Sequence, residues 1–307
     1  MKMLESIRQV KTNSGDIPSL VAAYEKIGKG NAALSIKQCS NVILSKQCQN
    51  HLEHQSIQIQ YCKNRFCPIC TVHRSYMLGA QLKTVVDEVA QISKGHWLFL
   101  TLTIKNVYPE ELGDAVGHMM KSWQRLSQRK QVRSVLQGWF RGMEVTFNER
   151  DHTFHPHFHV LIYVRHSYFT GKYYLKQDTW AALWKESLQV DYTPIVDIRR
   201  VKSRSGDEKD ILGAVLEVTK YPMKFESIES VIAHEHFDSF ESAMFRRRSI
   251  AFGGMLKKSL HRVKQDHPDS IEQEPEDHAS ECKVCGGTLS TNFVLWNDSV
   301  KMYQSYS

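Results

Sequence analysis

The chain has 307 residues, of which 41% are hydrophobic and 24% charged, an ordinary composition for a globular protein with a buried core. The formal net charge of +7 favours a polyanionic partner, and no apolar run approaches the roughly 20 residues that a membrane-spanning helix requires. The segment from Met1 to Arg8 lacks the apolar stretch of an export signal, and the seven cysteines lie mostly at short spacings that favour metal binding in a reducing compartment over a disulfide framework, so we expect a cytoplasmic protein.

The first third of the chain divides into three predicted regions. Residues 1–38 are weakly patterned and are expected to form an N-terminal arm. Residues 39–75 are cysteine-rich and include an alternating stretch, Ser56 to Tyr61, that is typical of a small β element. Leucine, valine and alanine then recur at helical spacing from about His73 to Ile92, and the β-rich run Trp97 to Ile104 predicts a strand.

The middle of the chain predicts an α+β domain over residues 76–263. After the first strand, the predicted elements are a helix over Pro109–Leu136, a strand over Gly138–Phe147, a strand that begins near His155, a helix over Tyr173–Val190, a strand over Thr193–Lys202 and a helix over Asp210–Tyr221. This order favours a central antiparallel sheet with helices packed on one face, and it lacks the regular alternation of a doubly wound fold. Residues 264–307 are expected to form an acidic linker and a tail with a Cys-x2-Cys pair.

The most informative motif is His155-Pro156-His157-Phe158-His159. Side chains alternate between the faces of a strand, so His157 and His159 share one face, where they can bind one divalent cation and leave positions open for substrate oxygens. The acidic turn before this strand predicts a hairpin that places Glu144 beside the histidines. A pair of polar residues on an exposed face is the alternative explanation.

A second motif lies on the helix predicted to begin at Asp210. Glu217 and Tyr221 are four residues apart and therefore lie one above the other on the side opposite the apolar face. A tyrosine hydroxyl can attack a phosphodiester once its proton is removed, and Lys220 and Lys224 can supply positive charge nearby. An ordinary solvated helix face is again the alternative.

Together these motifs resemble a known family. The run from Phe99 to Thr103, the histidine motif, and the run from Glu217 to Tyr221 occur in the order and spacing of the rolling-circle replication initiators of small bacterial plasmids. These initiators belong to the HUH endonucleases, named for their histidine–hydrophobic–histidine motif. The pattern is similar to the subgroup that has one catalytic tyrosine and a glutamate one helical turn before it.

The resemblance implies a role for each residue. His157 and His159 would bind Mg²⁺ or Mn²⁺, with Glu144 as the candidate third ligand. Tyr221 would attack the scissile phosphate of the plasmid origin, leaving a 5′-phosphotyrosine link and a free 3′-OH, and Glu217 would act as general base for water at termination. The implied partners are origin DNA that is single-stranded at the nick, and the host helicase and polymerase.

The cysteines form a separate constellation. Cys62, Cys67 and Cys70 lie close together in the sequence, whereas Cys282 and Cys285 form an isolated pair followed by glycines. Two zinc sites are compatible with these spacings. Either Cys39, Cys62, Cys67 and Cys70 form a local site, which the resemblance favours, or the tail pair joins Cys67 and Cys70; unligated thiols are the third possibility.

Basic residues also cluster, and Arg199 and Arg200, together with Lys220 and Lys224, are expected to bind the DNA backbone. Trp123 stands in another basic run, where its indole is expected to stack on unpaired bases. Three other functions remain open for the chain. It could be a relaxase or single-strand transposase of the same superfamily, although relaxases usually carry their tyrosine before the histidine motif. It could also be a zinc-containing DNA-binding regulator without catalysis, or a metallohydrolase that acts on small phosphates.

Overall fold

The structure, a computed structural model, describes residues 2–13, 16–201, 209–219, 225–266, 281–282 and 284–306. The helices are α1 (Lys2–Asn13), α2 (Asp16–Lys26), α3 (Gly30–Lys37), α4 (Pro68–Ile92), α5 (Leu112–Gln128), α6 (Lys130–Val135), α7 (Gln177–Leu188), α8 (Lys209–Val218), α9 (Phe225–Ala233), α10 (Phe237–Met244) and α11 (Gly254–Asp266). The strands are β1 (Val42–Cys48), β2 (Gln55–Ile59), β3 (Gly95–Thr103), β4 (Leu136–Asn148), β5 (Thr153–Arg165), β6 (Val196–Arg200), β7 (Ile250–Gly253), β8 (Leu289–Asn297) and β9 (Met302–Tyr306). Within these ranges, no helix is both long enough and apolar enough to cross a membrane.

The chain divides into two compact units. Unit 1 consists of Met1–Tyr76 together with Pro268–Ser307, and unit 2 consists of Met77–His267. Unit 1 therefore brings the N-terminal and C-terminal parts of the chain into one body, which contains all seven cysteines. Unit 2 contains the histidine motif and Glu217.

Unit 2 is built on a five-stranded sheet in the order β6-β3-β5-β4-β7, with every neighbouring pair antiparallel. The central strand β5 carries an apolar run, Val160 to Val164, whose side chains are all at most 2% exposed. Burial of this run on both faces favours a central position in the sheet. The α+β class and the central antiparallel sheet are as the sequence predicts.

Helices cover both faces of this sheet, not one. On the face of Phe158, the indoles of Trp123 on α5 and Trp184 on α7 pack edge-on against the Phe158 ring, each with ring centroids 6.4 Å apart. On the face of the histidines, a Cβ built on Gly142 would lie 2.6 Å from the backbone oxygen of Val218 at the end of α8. The expectation of a single covered face is wrong because Leu161, which shares the face of His159, is fully buried and requires a cover.

The predicted helix over Pro109–Leu136 is broken at Arg129. A 3₁₀ turn over Pro109–Glu111 precedes α5, and α5 ends where Arg129 adopts extended backbone angles, φ −60° and ψ 137°. The Arg129 guanidinium donates hydrogen bonds to Ser187 Oγ at 2.8 Å and to Glu186 Oε2 at 2.5 Å. These tertiary contacts to α7 favour the break, which helical periodicity alone does not reveal.

Unit 1 is built on a four-stranded antiparallel sheet in the order β2-β1-β8-β9. The N-terminal helices supply most of its apolar core, including the fully buried Ile7, Leu20 and Ile36. The sheet itself contributes little, because β2 and β8 contain no buried residue. A pairing of β1 with β8 therefore joins segments about 250 residues apart without a large shared core, a point that bears on the cysteines below.

Candidate active site

The two histidines and the predicted carboxylate converge on the central strands of unit 2. The register of β4 and β5 places Glu144 directly opposite His157 and Gly142 opposite His159. Glu144 Oε2 lies 3.0 Å from His159 Nε2 and 3.4 Å from His157 Nε2. Their side chains are only 10–14% exposed, so the three groups form a polar cluster within the packed fold.

The other nitrogen of each imidazole is held by a neighbouring group. His157 Nδ1 donates a hydrogen bond to the backbone carbonyl of His155 at 3.1 Å. His159 Nδ1 lies 3.3 Å from the hydroxyl of Thr101, which stands opposite it on β3. Because each Nδ1 has a partner that holds the ring in place, both rings turn Nε2 towards the same point.

His155 shares the face of the other two histidines but contacts Asn106 instead of Glu144. Its Nδ1 lies 2.8 Å from the side-chain oxygen of Asn106, and it is outside the group of potential metal ligands. Burial and the neighbouring His157 lower the pKa of its imidazole. The choice of Glu144 over His155 as the third member of the cluster agrees with this geometry.

The electrostatics of the cluster fit a cation. Burial raises the pKa of the Glu144 carboxyl, but hydrogen bonds from His157 and His159 outweigh burial and hold the pKa well below its ordinary value, so the group is an anion at neutral pH. A divalent cation at the same point would be stabilised by this negative charge, with the two Nε2 atoms and the carboxylate oxygen as its nearest ligand atoms.

The donor set is typical of an open metal site. The ligand atoms of Glu144, His157 and His159 all lie within 4.8 Å of one another. Two imidazole nitrogens and one carboxylate oxygen on one face leave coordination positions open, as in catalytic metal sites and unlike closed structural ones. The cluster can therefore hold a metal ion and still admit a substrate oxygen.

Glu217 lies on the helix that crosses this face. Helix α8 packs on β4 and β5, and its residues Val215 and Val218 are at most 1% exposed. The close approach of α8 to Gly142, the partner of His159, brings the half-buried Glu217 to the histidine side of the sheet. The predicted nucleophile Tyr221 and the two predicted DNA-binding lysines, Lys220 and Lys224, lie outside the described residues.

The two predicted DNA-binding arginines point to opposite faces of the sheet. Arg199 is opposite Phe99 on β3, on the histidine face, and its guanidinium lies 5.0 Å from the Phe99 ring centroid. Arg200 points to the other face, where it contacts the ring of Phe169. Trp123 is only 3% exposed, so the expectation that it stacks on bases is wrong.

In unit 1, the four cysteines of the predicted local site come together. Cys39 follows α3, Cys62 follows β2, and Cys67 and Cys70 lie at the start of α4. Their sulfur atoms lie within 4.8 Å of one another, with Cys70 Sγ 3.5 Å from both Cys39 Sγ and Cys62 Sγ. Pro68 begins α4 at a helix position where no N–H is needed, so the Cys67–Cys70 turn is rigid.

The tail pair does not join Cys67 and Cys70. Cys282 and Cys285 form a separate group with Cys48 and His54. Sequence reasoning missed Cys48 and His54 as members of a site, and it also missed Thr101 and Asn106, which hold the histidines. Of these residues, only Thr101 could have been found from the sequence, because it alternates with Phe99 and Thr103 in the strand run that belongs to the family resemblance.

The chain is similar in sequence to known proteins. A family model described as "Replication protein" matches residues 54–303. A "Protein rep" of Bacillus amyloliquefaciens is 34% identical over 89% of this chain and 85% of its own length, and a "Protein rep" of a Bacillus species is 38% identical over 67% and 71%. A "Protein rep" of Lactiplantibacillus plantarum is 36% identical over 80% of this chain and 78% of its own length.

No solved structure matches the chain. The family match covers four fifths of the sequence, including Glu144, both histidines and Glu217, and relatives above 30% identity extend over most of its length. The chain therefore belongs to the replication protein family, as its resemblance to rolling-circle plasmid replication initiators predicts.

Proposed function

We propose that this replication initiator is a metal-dependent DNA nickase that cuts one strand of its plasmid origin and later rejoins it. The observation that carries the proposal is the convergence of Glu144, His157 and His159 on one buried point of the sheet, with open space in the coordination set for a phosphate oxygen. Such a cluster supports phosphodiester cleavage, because a metal ion held there can polarise an oxygen of the scissile phosphate.

Glu144, His157 and His159 would hold Mg²⁺ or Mn²⁺. Bound there, the cation would supply Lewis-acid polarisation of the scissile phosphate. The protein's own contribution is to fix the ligands before the DNA arrives. Thr101 and the His155 carbonyl hold the two rings, and the cross-strand pairing holds the carboxylate.

Tyr221 is the proposed nucleophile, because it follows Glu217 by one helical turn in the second motif. Its hydroxyl loses a proton and forms a bond from oxygen to phosphorus, while the bond from phosphorus to the 3′ oxygen breaks. The departing 3′ oxygen takes up a proton, and the free 3′-OH primes synthesis. The 5′ end stays attached to the protein as a phosphotyrosine.

Glu217 is the proposed general base for the end of the cycle. A carboxylate that accepts a proton from water generates a hydroxide equivalent that hydrolyses a phosphodiester without forming a second covalent adduct. The position of α8 over Gly142, beside His159 in the sheet, supports this role. In unit 1, Cys39, Cys62, Cys67 and Cys70 are proposed to hold a structural Zn²⁺, because four sulfur ligands form a closed site.

The proposed cleavage is tested with labelled single-stranded oligonucleotides that tile the plasmid encoding this chain. The full-length protein is incubated with them and Mn²⁺ or EDTA and run on a denaturing gel. We expect a metal-dependent protein–DNA adduct that disappears in Tyr221→Phe and persists in Tyr173→Phe, a control at an exposed tyrosine. Salt-sensitive binding without an adduct on any oligonucleotide would instead identify a non-catalytic regulator, and cleavage without an adduct a hydrolytic nuclease.

A further inference from the structure

The group formed by Cys48, His54, Cys282 and Cys285 has no part in the proposed nicking reaction. Its members come from two places in unit 1. Cys48 ends β1 and His54 immediately precedes β2, so both flank the turn between these strands, while the tail pair lies just before β8. The two segments are joined by backbone hydrogen bonds, among them Gln49 N–H to the Thr288 carbonyl at 3.0 Å.

The spacing of the four ligand atoms is that of a tetrahedral metal site. Cys48 Sγ lies 3.5 Å from Cys285 Sγ, Cys282 Sγ lies 3.7 Å from His54 Nδ1, and all four atoms are within 4.8 Å of one another. Zinc with sulfur ligands at its usual bond length requires about 3.8 Å between sulfurs. A disulfide is excluded, because bonded sulfurs lie about 2.05 Å apart.

The backbone of the tail pair is shaped to turn both sulfurs inward. Cys282 N–H donates to the Gly287 carbonyl at 2.7 Å, and Gly286 N–H donates to the Cys282 carbonyl at 2.8 Å. Gly286 has φ +70°, a conformation that side-chain-bearing residues adopt only with strain. A Cβ on Gly287 would lie 3.1 Å from Cys48 Sγ, so both glycines are needed for the cysteines to approach the β1–β2 turn.

A metal ion at this position would stabilise the sheet of unit 1. β1 pairs with β8 along its whole length, with Cys48 opposite Leu289, yet β8 and β2 contain no buried side chain. Where apolar burial is scarce, a metal site commonly supplies the missing stability. A metal bound by the turn and the tail pair would fix β8, and with it β9, to the N-terminal strands.

We propose that Cys48, His54, Cys282 and Cys285 bind a structural Zn²⁺ ion, distinct from the ion at the Cys39 group, that fastens the C-terminal hairpin of the chain to its N-terminal sheet. Three thiolates and one imidazole are a closed structural set, and they leave no position for substrate. The initiator then contains two zinc ions in unit 1, besides the catalytic cation of unit 2.

The first test counts zinc in the full-length protein, purified with a reductant, by elemental analysis. Cys285 is an exposed residue, so replacing it by serine removes a ligand without disturbing packing. Cys285→Ser should contain one zinc ion fewer per chain than wild type. The neighbouring residue Val284 is also exposed, by 73%, and Val284→Ser should retain the wild-type zinc content. Equal zinc content in wild type and Cys285→Ser would overturn the proposal.

A second pair of variants tests the nitrogen ligand. His51 and His54 lie on the same turn with ring centroids 4.9 Å apart, but only His54 belongs to the group. His54→Ala should lose the same zinc ion or release it to a colorimetric chelator at least about tenfold faster, whereas His51→Ala should behave as wild type. Wild-type behaviour of His54→Ala would remove the histidine from the site.

A third measurement needs no variant and is independent of folding defects. The Cys285 thiol of the native wild-type chain is exposed, so without a metal it should be accessible to an alkylating reagent. With zinc bound, peptide mapping by mass spectrometry should find Cys285 protected until a strong chelator is added. Rapid alkylation of Cys285 in the zinc-replete native protein would show that the group binds no metal.

Discussion

The potential metal-binding groups of the two units differ in their donor atoms, and the difference distinguishes a catalytic type of site from a structural one. In unit 2, two imidazoles and a carboxylate form an incomplete set on a sheet that is already well packed, so a cation there adds reactivity more than stability. In unit 1, two groups of four soft or borderline ligands form complete sets on a sheet with little buried surface. A metal in those groups adds stability and leaves no room for substrate.

The comparison predicts that loss of a ligand abolishes nicking in unit 2 without unfolding the protein. Glu144→Gln keeps the size of the side chain and removes the anion that both histidines contact. Outer-shell changes at metal sites cost 10–100-fold, so removal of a ligand should lower the nicking rate by more than about 10²-fold. A quenched gel assay measures the rate, and circular dichroism should show that the variant remains folded at the assay temperature.

The matched control for that prediction is His155→Ala. His155 lies on the same face but contacts Asn106 and is not a potential ligand, so its loss should lower the nicking rate far less than Glu144→Gln. Equal losses for the two variants would contradict the assignment of Glu144 as the third ligand.

The converse prediction is that loss of a ligand in unit 1 unfolds that unit. Cys67 is fully buried in the Cys39 group, and Cys67→Ser should release its zinc and cost several kcal/mol of folding free energy. Limited proteolysis should then cut within residues 1–76 while leaving unit 2 resistant. Ile69 is a buried residue between Cys67 and Cys70, and Ile69→Val should lower the folding free energy by only about 0.5–1.5 kcal/mol and retain the zinc.

A third prediction concerns the contact between the sheet and α8, the helix that carries Glu217 and ends three residues before the proposed nucleophile Tyr221. Gly142→Ala would place a Cβ 2.6 Å from the Val218 carbonyl oxygen, and because that neighbour is backbone, α8 must shift. We expect a roughly tenfold slower nicking rate with unchanged Mn²⁺ affinity, since positioning errors of about 1 Å cost up to 10²-fold. Calorimetric Mn²⁺ titration separates the two effects.

The control for Gly142→Ala lies on α8 itself. Gly213 has open space around its Cα, and an alanine there should stabilise the helix by up to about 1 kcal/mol and leave nicking unchanged. A slower nicking rate in both variants would indicate that any change near α8 impairs nicking. The effect of Gly142→Ala could then not be assigned to the contact between Gly142 and Val218.

The metal-ligand groups of the two units also differ in how well the sequence predicts them. The histidine face was predictable because its members lie on one strand or across one hairpin, where the register determines proximity. The spacings of the cysteines left two zinc sites open, and only the family resemblance favoured the Cys39 group. Cys48 and His54 were not predictable, since their partners are more than 220 residues away and no local pattern marks them. The position of α8 on the histidine face was missed because periodicity shows which side of a helix is apolar but not which face of a sheet receives it.

The smallest expected effect is a difference in DNA binding between variants of two adjacent arginines, Arg199 and Arg200. Arg199 points to the histidine face and is largely exposed, whereas Arg200 points to the opposite face and contacts Phe169. If single-stranded DNA crosses the histidine face, Arg199→Ala should weaken binding a few-fold, and the slope of log affinity against log salt concentration should fall by somewhat less than 1 because one phosphate contact is lost.

Arg200→Ala is the matched control, since it removes the same charge one residue away. It should leave the salt slope unchanged in the same fluorescence anisotropy titration. Equal slopes for both variants would mean that the DNA responds only to the net charge of unit 2, while a larger effect for Arg200→Ala would place the DNA on the face of Phe158. Because strand alternation separates the two side chains by the thickness of the sheet, this pair determines which face the DNA follows.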